Sequence, residues 1–90
     1  MAENFRLSVV TGEGTVFEDE VSYVNLPTGF GSVGVLANHA PMLCAVEKGV
    51  LTCTRAGETL RVQISDGIAS VDSNEMTVLI QDGKLLDQKA

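Results

Sequence analysis

Ninety residues suffice for one small domain, a size at which folding buries only about 60 to 65 per cent of the unfolded chain's surface; a hydrophobic share of 44 per cent is ample for its core. Twelve acidic against six basic residues leave a net charge of −6, which repels phosphate backbones and anionic lipid heads and so argues against nucleic-acid binding and direct adsorption to a membrane. No window approaches the roughly 20 apolar residues of a spanning helix, and no basic flank with an apolar stretch opens the chain, so a soluble, unprocessed protein is expected, with membrane association only through partners.

In chain order, period-two alternation marks strands at residues 4–10, 15–18, 21–26, 42–47, 50–55, 60–65, 67–72 and 75–81. It is clearest in Leu60-Arg61-Val62-Gln63-Ile64-Ser65, where apolar and polar side chains take turns without exception. Turn-forming clusters separate the runs: residues 11–14, Asp19-Glu20, a long glycine loop, Lys48-Gly49, residues 56–58, 65–67 and 72–74. Short strands punctuated every 8 to 12 residues predict an all-β sandwich or barrel. With tryptophan absent and aromatics scarce, the core falls to branched aliphatics, which favour strands. The inner positions are expected to include Phe5, Leu7, Val9, Leu60, Val62, Ile64, Met76, Val78 and Ile80. No amphipathic helix is present, and the polar segment 82–90 is too short for a stable one. The expected organisation is a domain over residues 1–82 with a short polar tail at 83–90.

Lys48-Gly49, read as a two-residue hairpin loop, would pair Glu47 with Val50, Val46 with Leu51 and Cys44 with Cys53. The two cysteines then read as small buried hydrophobes, with a redox or metal pair as the alternative. A disulfide between directly opposed strand positions is often strained, and two cysteines give no disulfide framework, which suits a reducing compartment.

Gly29-Phe30-Gly31-Ser32-Val33-Gly34 spells G-x-G-x-x-G, but a dinucleotide site needs a helix after those glycines. Asn38-His39-Ala40-Pro41 interrupts the chain four residues after Gly34, so no crossover helix fits, and the glycines are expected to shape a rigid surface loop. His39 is the only histidine. A blue-copper site, which takes two histidines, is thereby excluded, and zinc lacks ligands. The acids at Glu18, Asp19 and Glu20 have no companion base or nucleophile, and the remaining Asp residues lack calcium-loop spacing. Neither a nucleophile elbow nor a Walker lysine occurs. No catalytic constellation, metal site or cofactor site is expected. Phe30, Val33, Val35, Leu36 and Met42 are apolar residues in a segment otherwise built for exposure. They read either as a loop folded over the sandwich or as a stiff docking surface. His39 reads either as a local bond to the turn near Pro41 or as an interface contact.

Three elements taken in order, the Gly29-x-Gly31-x-x-Gly34-Val35-Leu36 loop, the Asn38-His39-Ala40-Pro41 turn and the Lys48-Gly49-Val50 turn, make the chain similar to the epsilon subunit of F-type ATP synthases, called delta in mitochondria. Further matches are Leu7-Ser8-Val9-Val10-Thr11 with Gly14 and Phe17, Asp66-Gly67-Ile68 and Met76-Thr77-Val78-Leu79, so the resemblance runs over residues 5 to 82. It implies a flattened sandwich of about ten strands in two sheets. It also implies a non-catalytic rotor subunit of the central stalk, which binds the gamma subunit and the c-ring within a complex that includes alpha and beta, and couples ion flow to ATP synthesis. The family's partner-facing surfaces map onto Phe30, Gly31, Ser32 and Val33 and onto Asn38, His39, Ala40, Pro41 and Met42. Where many bacterial members carry acids in the glycine loop, this chain has Phe30 and Ser32, so an apolar or hydroxyl contact is expected there. The sequence stops before the family's C-terminal helical hairpin, so the resemblance implies no helical self-inhibition and no nucleotide site. With no transit segment in the sequence, the expected location is the cytoplasmic face of a bacterial inner membrane. A free-standing β-sandwich adaptor or ligand-binding module is the alternative.

Overall fold

The computed structural model describes residues 3–87. Alternation builds ten strands: β1 (Phe5–Thr11), β2 (Gly14–Val21), β3 (Tyr23–Thr28), β4 (Gly31–Leu36), β5 (Met42–Val46), β6 (Gly49–Arg55), β7 (Glu58–Ile64), β8 (Gly67–Asp72), β9 (Glu75–Ile80) and β10 (Gly83–Leu85). They form two five-stranded sheets, β2-β1-β9-β8-β5 and β10-β7-β6-β3-β4, here called sheet A and sheet B. Face-to-face packing of the sheets gives a flattened sandwich of 33 × 33 × 23 Å. Every neighbouring pair is antiparallel except β1 with β9.

Each strand turns one phase of its alternation inward. All nine residues expected in the core are buried, together with Phe17, Val21, Val24, Leu26, Val35, Leu51 and others, and no polar or charged residue among those described is buried with them. An aliphatic core of this kind is held by burial alone, at about 1.5 to 3 kcal/mol per fully buried large side chain. The chain passes from sheet A to sheet B at Ser22, whose backbone N–H donates to the Thr54 carbonyl at 2.8 Å. Beside that crossing, Arg55 of β6 and Asp19 of β2 form an ion pair between the sheets at 2.7 Å.

The fold corrects four sequence expectations. Lys48-Gly49 does not close a hairpin: β5 pairs with β8 in sheet A and β6 with β3 and β7 in sheet B. Lys48 and its neighbours carry the chain between sheets, with Glu47 N–H bonded to the Pro27 carbonyl and Lys48 N–H to Asp66. Cys44 therefore faces Ala69, and Cys53 faces Leu60 and Val24. The two are not cross-strand neighbours, and both thiols are free. Asp19-Glu20 is not a turn but part of β2, the edge of sheet A, where Arg6 bridges Glu18 and Glu20. The glycine loop is mostly strand: Gly31 to Leu36 pair with Thr28 to Tyr23, leaving only Gly29 and Phe30 at a tight tip. Finally, β10 lies beyond residue 82, in the stretch expected as a tail, and pairs with β7. Arg61 grips Asp87 through its side chain and its backbone N–H, which fastens the segment after β10.

Candidate docking surface

The glycine motif folds as a hairpin because Thr28 Oγ1 both donates to the Gly31 carbonyl at 2.6 Å and accepts from Phe30 N–H at 3.2 Å. Gly31 takes φ +106, a region in which a side chain would be strained. Gly34 serves differently. A Cβ there would come 2.7 Å from the Tyr23 hydroxyl, so its bareness lets the Tyr23 ring lie across β4. The hairpin presents Phe30 at its tip with 103 % relative exposure, no part of it covered. Gly31 and Ser32 are exposed, while Val33 packs half-buried against the core. A strand sits where a dinucleotide fold has its helix, so the motif offers no helix N-terminus to a pyrophosphate.

β4 runs six residues, roughly 20 Å at the usual rise, and ends at the turn of Asn38, His39, Ala40 and Pro41. Asn38 adopts φ +65, and His39 Nδ1 lies 2.7 Å from the Ala40 carbonyl. A carbonyl only accepts, so that nitrogen carries the proton. The local bond expected of His39 is therefore present, and the half-buried ring leaves one edge for contact. Ala40 and Pro41 are exposed, and Met42 packs against the core at the start of β5. The structure thus does not bring the nine expected site residues together. It separates them into a Phe30 tip and an Asn38 to Met42 turn at opposite ends of β4.

A larger surface, absent from the sequence-based expectations, lies on the outer face of sheet A. Register places Val10 beside Leu79, Leu79 beside Ile68, and Ile68 beside Ala45. The row crosses β1, β9, β8 and β5 with no charged side chain in it. Leu43, one step along β5, adjoins it and is 74 % exposed, while Ile68 and Leu79 are 51 % and 53 % exposed. The next row, Ser8, Thr77 and Ser70 beside Leu43, carries only small hydroxyls, and the row after it, Arg6, Glu75 and Asp72, is charged. Such an apolar row with a polar margin is a candidate interaction surface. Its signal was in the sequence. Met76-Thr77-Val78-Leu79-Ile80 and Gly67-Ile68-Ala69-Ser70-Val71 carry aliphatics on both phases of the alternation, which a sheet with one wet face does not need. In addition, no Asp, Glu, Lys or Arg occurs from residue 21 to residue 46, the stretch that supplies β3, β4 and the edge strand β5. The opposite side of the sandwich, edged by β2 and β10, carries Glu18, Asp19, Glu20 and Lys84.

No group of three His, Cys, Asp or Glu side chains that could hold a metal occurs among the described residues. The Cys53 thiol is pushed up to about 11 by burial, so it stays protonated and inert at neutral pH. Asp19 is held below the ordinary carboxylate value, first by its hydrogen bond from Arg55 and then by the Glu20 backbone N–H.

Residues 4–84 match the family described as ATP synthase, Delta/Epsilon chain, beta-sandwich domain. Among curated proteins, the chain is 40 % identical over 79 residues to an ATP synthase epsilon chain of Desulfitobacterium hafniense, covering 88 % of this chain and 60 % of the relative. It is 34 % identical over 88 residues to the ATP synthase epsilon chain of Desulforamulus reducens, with 98 % and 67 % covered, and 38 % identical over 78 residues to the chloroplastic epsilon chain of Arabidopsis thaliana, with 87 % and 59 % covered. The chain thus spans about 60 % of the length of most of these relatives. Among solved structures, the fold is similar to that of a chain in the Euglena gracilis mitochondrial ATP synthase, solved as OSCP/F1/c-ring, at TM-score 0.86 and 20 % identity over 97 % of this chain and 56 % of that one. A chain in the Tetrahymena thermophila mitochondrial ATP synthase central stalk and c-ring has TM-score 0.74 at 12 % identity, over 91 % of this chain and 66 % of that one.

Proposed function

The chain belongs to the delta/epsilon family of ATP synthase subunits through its β-sandwich domain, and from that membership we propose that it is a non-catalytic rotor subunit of the central stalk, which fastens the gamma subunit to the c-ring. The observation that carries this reading is the apolar outer face of sheet A, where Leu43, Ile68 and Leu79 stand half or more exposed without a cover. We assign that face, with Asn38, His39, Ala40, Pro41 and Met42 leading into it, to gamma. An apolar row bordered by hydroxyl and charged side chains suits a partner held through many turnovers. The Phe30 tip, with Gly31, Ser32 and Val33 behind it, is assigned to the loops of the c-ring. It lies a full strand length from the turn, and a single bare aromatic on a stiff hairpin reaches a shallow recess without a large interface.

The proposed work is mechanical. Ion flow turns the ring, the sandwich holds gamma to it, and torque reaches the catalytic head without slippage. In this reading the chain meets the membrane only through its partners, consistent with its net charge of −6. Sedimentation of the purified chain with its cognate gamma subunit, nucleotide absent, tests the proposal. A stable one-to-one complex at micromolar concentrations is expected; separate boundaries for the two proteins would favour a free-standing adaptor.

A further inference from the structure

The turn that precedes β5 is held by side chains from elsewhere in the fold. Asn38 N–H donates to Asn74 Oδ1 at 2.7 Å, Asn74 Nδ2 donates to Asn38 Oδ1 at 3.1 Å, and Asn38 Nδ2 donates to Glu3 Oε1 at 2.5 Å. Asn74 sits in the turn between β8 and β9, and its own carbonyl accepts from Arg6 N–H at 3.0 Å. The amide orientations are fixed at both ends of this chain of bonds. A backbone N–H only donates, so Asn74 must offer it Oδ1, and an ionised carboxylate only accepts, so Asn38 must offer it Nδ2. What remains is an N–H donor on Asn74 opposite an oxygen on Asn38, which is the third bond. Flipping either amide sets like against like. Both residues also occupy the left-handed region, with φ +65 and +60, and Ser73 does so at +52, a conformation asparagine tolerates better than most residues.

We infer that Asn74 is a positioning residue for partner docking: its side chain clamps the turn of Asn38, His39, Ala40 and Pro41 in one conformation before the partner arrives. The inference rests on the gamma-binding role proposed above and adds to it a residue that is remote in sequence and outside the docking turn. A turn already ordered loses less freedom on binding, so the clamp raises affinity without touching the partner. It also ties the turn to the β8–β9 connection, so that the turn and the apolar row on β8 and β9 are presented as one rigid unit.

Glycine at position 74 keeps the left-handed backbone and removes only the amide, so Asn74→Gly isolates the clamp. In the free chain, Asn74→Gly is expected to speed amide hydrogen exchange at Asn38, whose N–H loses its acceptor, at least about tenfold. Binding to the cognate gamma subunit is expected to weaken by about tenfold. Unchanged exchange in Asn74→Gly would overturn the clamp. Faster exchange with gamma affinity unchanged would overturn its role in docking. A wild-type chain that fails to bind gamma would refute the docking reading itself, a result distinct from the exchange measurement.

Discussion

Ile68 is where the docking account is most exposed to contradiction. Its side chain stands in the apolar row between Leu79 and Ala45 and is 51 % exposed. Burying a whole aliphatic side chain gives about 1.5 to 3 kcal/mol, so covering the remaining half gives about 1 kcal/mol on association. Ile68→Ala should therefore weaken gamma binding by about fivefold. Ile68→Glu adds a carboxylate that the partner would cover without a counter-charge, which costs about 3 kcal/mol more and carries the loss beyond a hundredfold. In the free chain Ile68 is half covered by its sheet neighbours, so each variant should cost about 1 kcal/mol of folding stability through lost packing and strand propensity. Titration of each variant against gamma by calorimetry, with urea melts of the free chain alongside, reads both quantities. Wild-type affinity in Ile68→Glu would refute the assignment of this face. Loss of affinity in Ile68→Glu matched by an equal loss of stability would mean that Ile68 is part of the core.

Gly67 opens β8 opposite Ile80, and a Cβ there would overlap the Leu79 carbonyl oxygen and come within 2.9 Å of the Ile80 Cγ2. Gly67→Ala should destabilise the sandwich by about 2 kcal/mol, measured by urea denaturation; an unshifted midpoint would contradict the tight β8–β9 approach. Asp19, whose folded pKa is depressed chiefly by the Arg55 hydrogen bond, contributes stability that is present above its ordinary value of 3.8 and lost as pH falls through the lower folded value. Melting curves from pH 6 to pH 2 should therefore converge for wild type and Asp19→Asn at the acid end, with wild type ahead near neutrality; a constant gap would contradict the pairing. Cys53, buried in the core with its thiol pushed up to about 11, should resist alkylation at pH 8 in the native chain and react fully in denaturant, as read by mass spectrometry of its peptide.

The sequence carried the fold class in its strands. Strict alternation from Leu60 to Ser65 and at residues 5–9, with the phase of Met76, Val78 and Ile80 in β9, put every expected core residue inside, because one slip of register would expose the whole apolar set. It did not carry the pairing of β5. Glycine after Lys48 fits a hairpin locally, and only the antiparallel pairing of β5 with β8, distant in sequence, draws it into the other sheet. Nor did Asp19-Glu20 read as strand. Acids are poor strand formers, and here Arg6 and Arg55, distant in sequence, neutralise them on an edge. β4 was hidden by its glycines, Gly31 answering a backbone need and Gly34 a ring contact with Tyr23. The sequence motifs singled out the two ends of β4 as sites, and Phe30 and His39 stand there. The sheet A face was missed because Leu79, Ile68 and Leu43 lie on three strands far apart in sequence, and only the register sets Leu79, Ile68 and the Leu43 strand side by side.

The central claim is that gamma sits on the outer face of sheet A. Methyl-labelled chain, observed by NMR with and without unlabelled gamma, addresses it residue by residue. The account predicts large shifts or broadening for Leu43, Ile68 and Leu79, while Val50, on the outer face of sheet B, reports only the slower tumbling common to every methyl. Perturbation centred on Val50, with Ile68 and Leu79 no more affected than the rest, would contradict it.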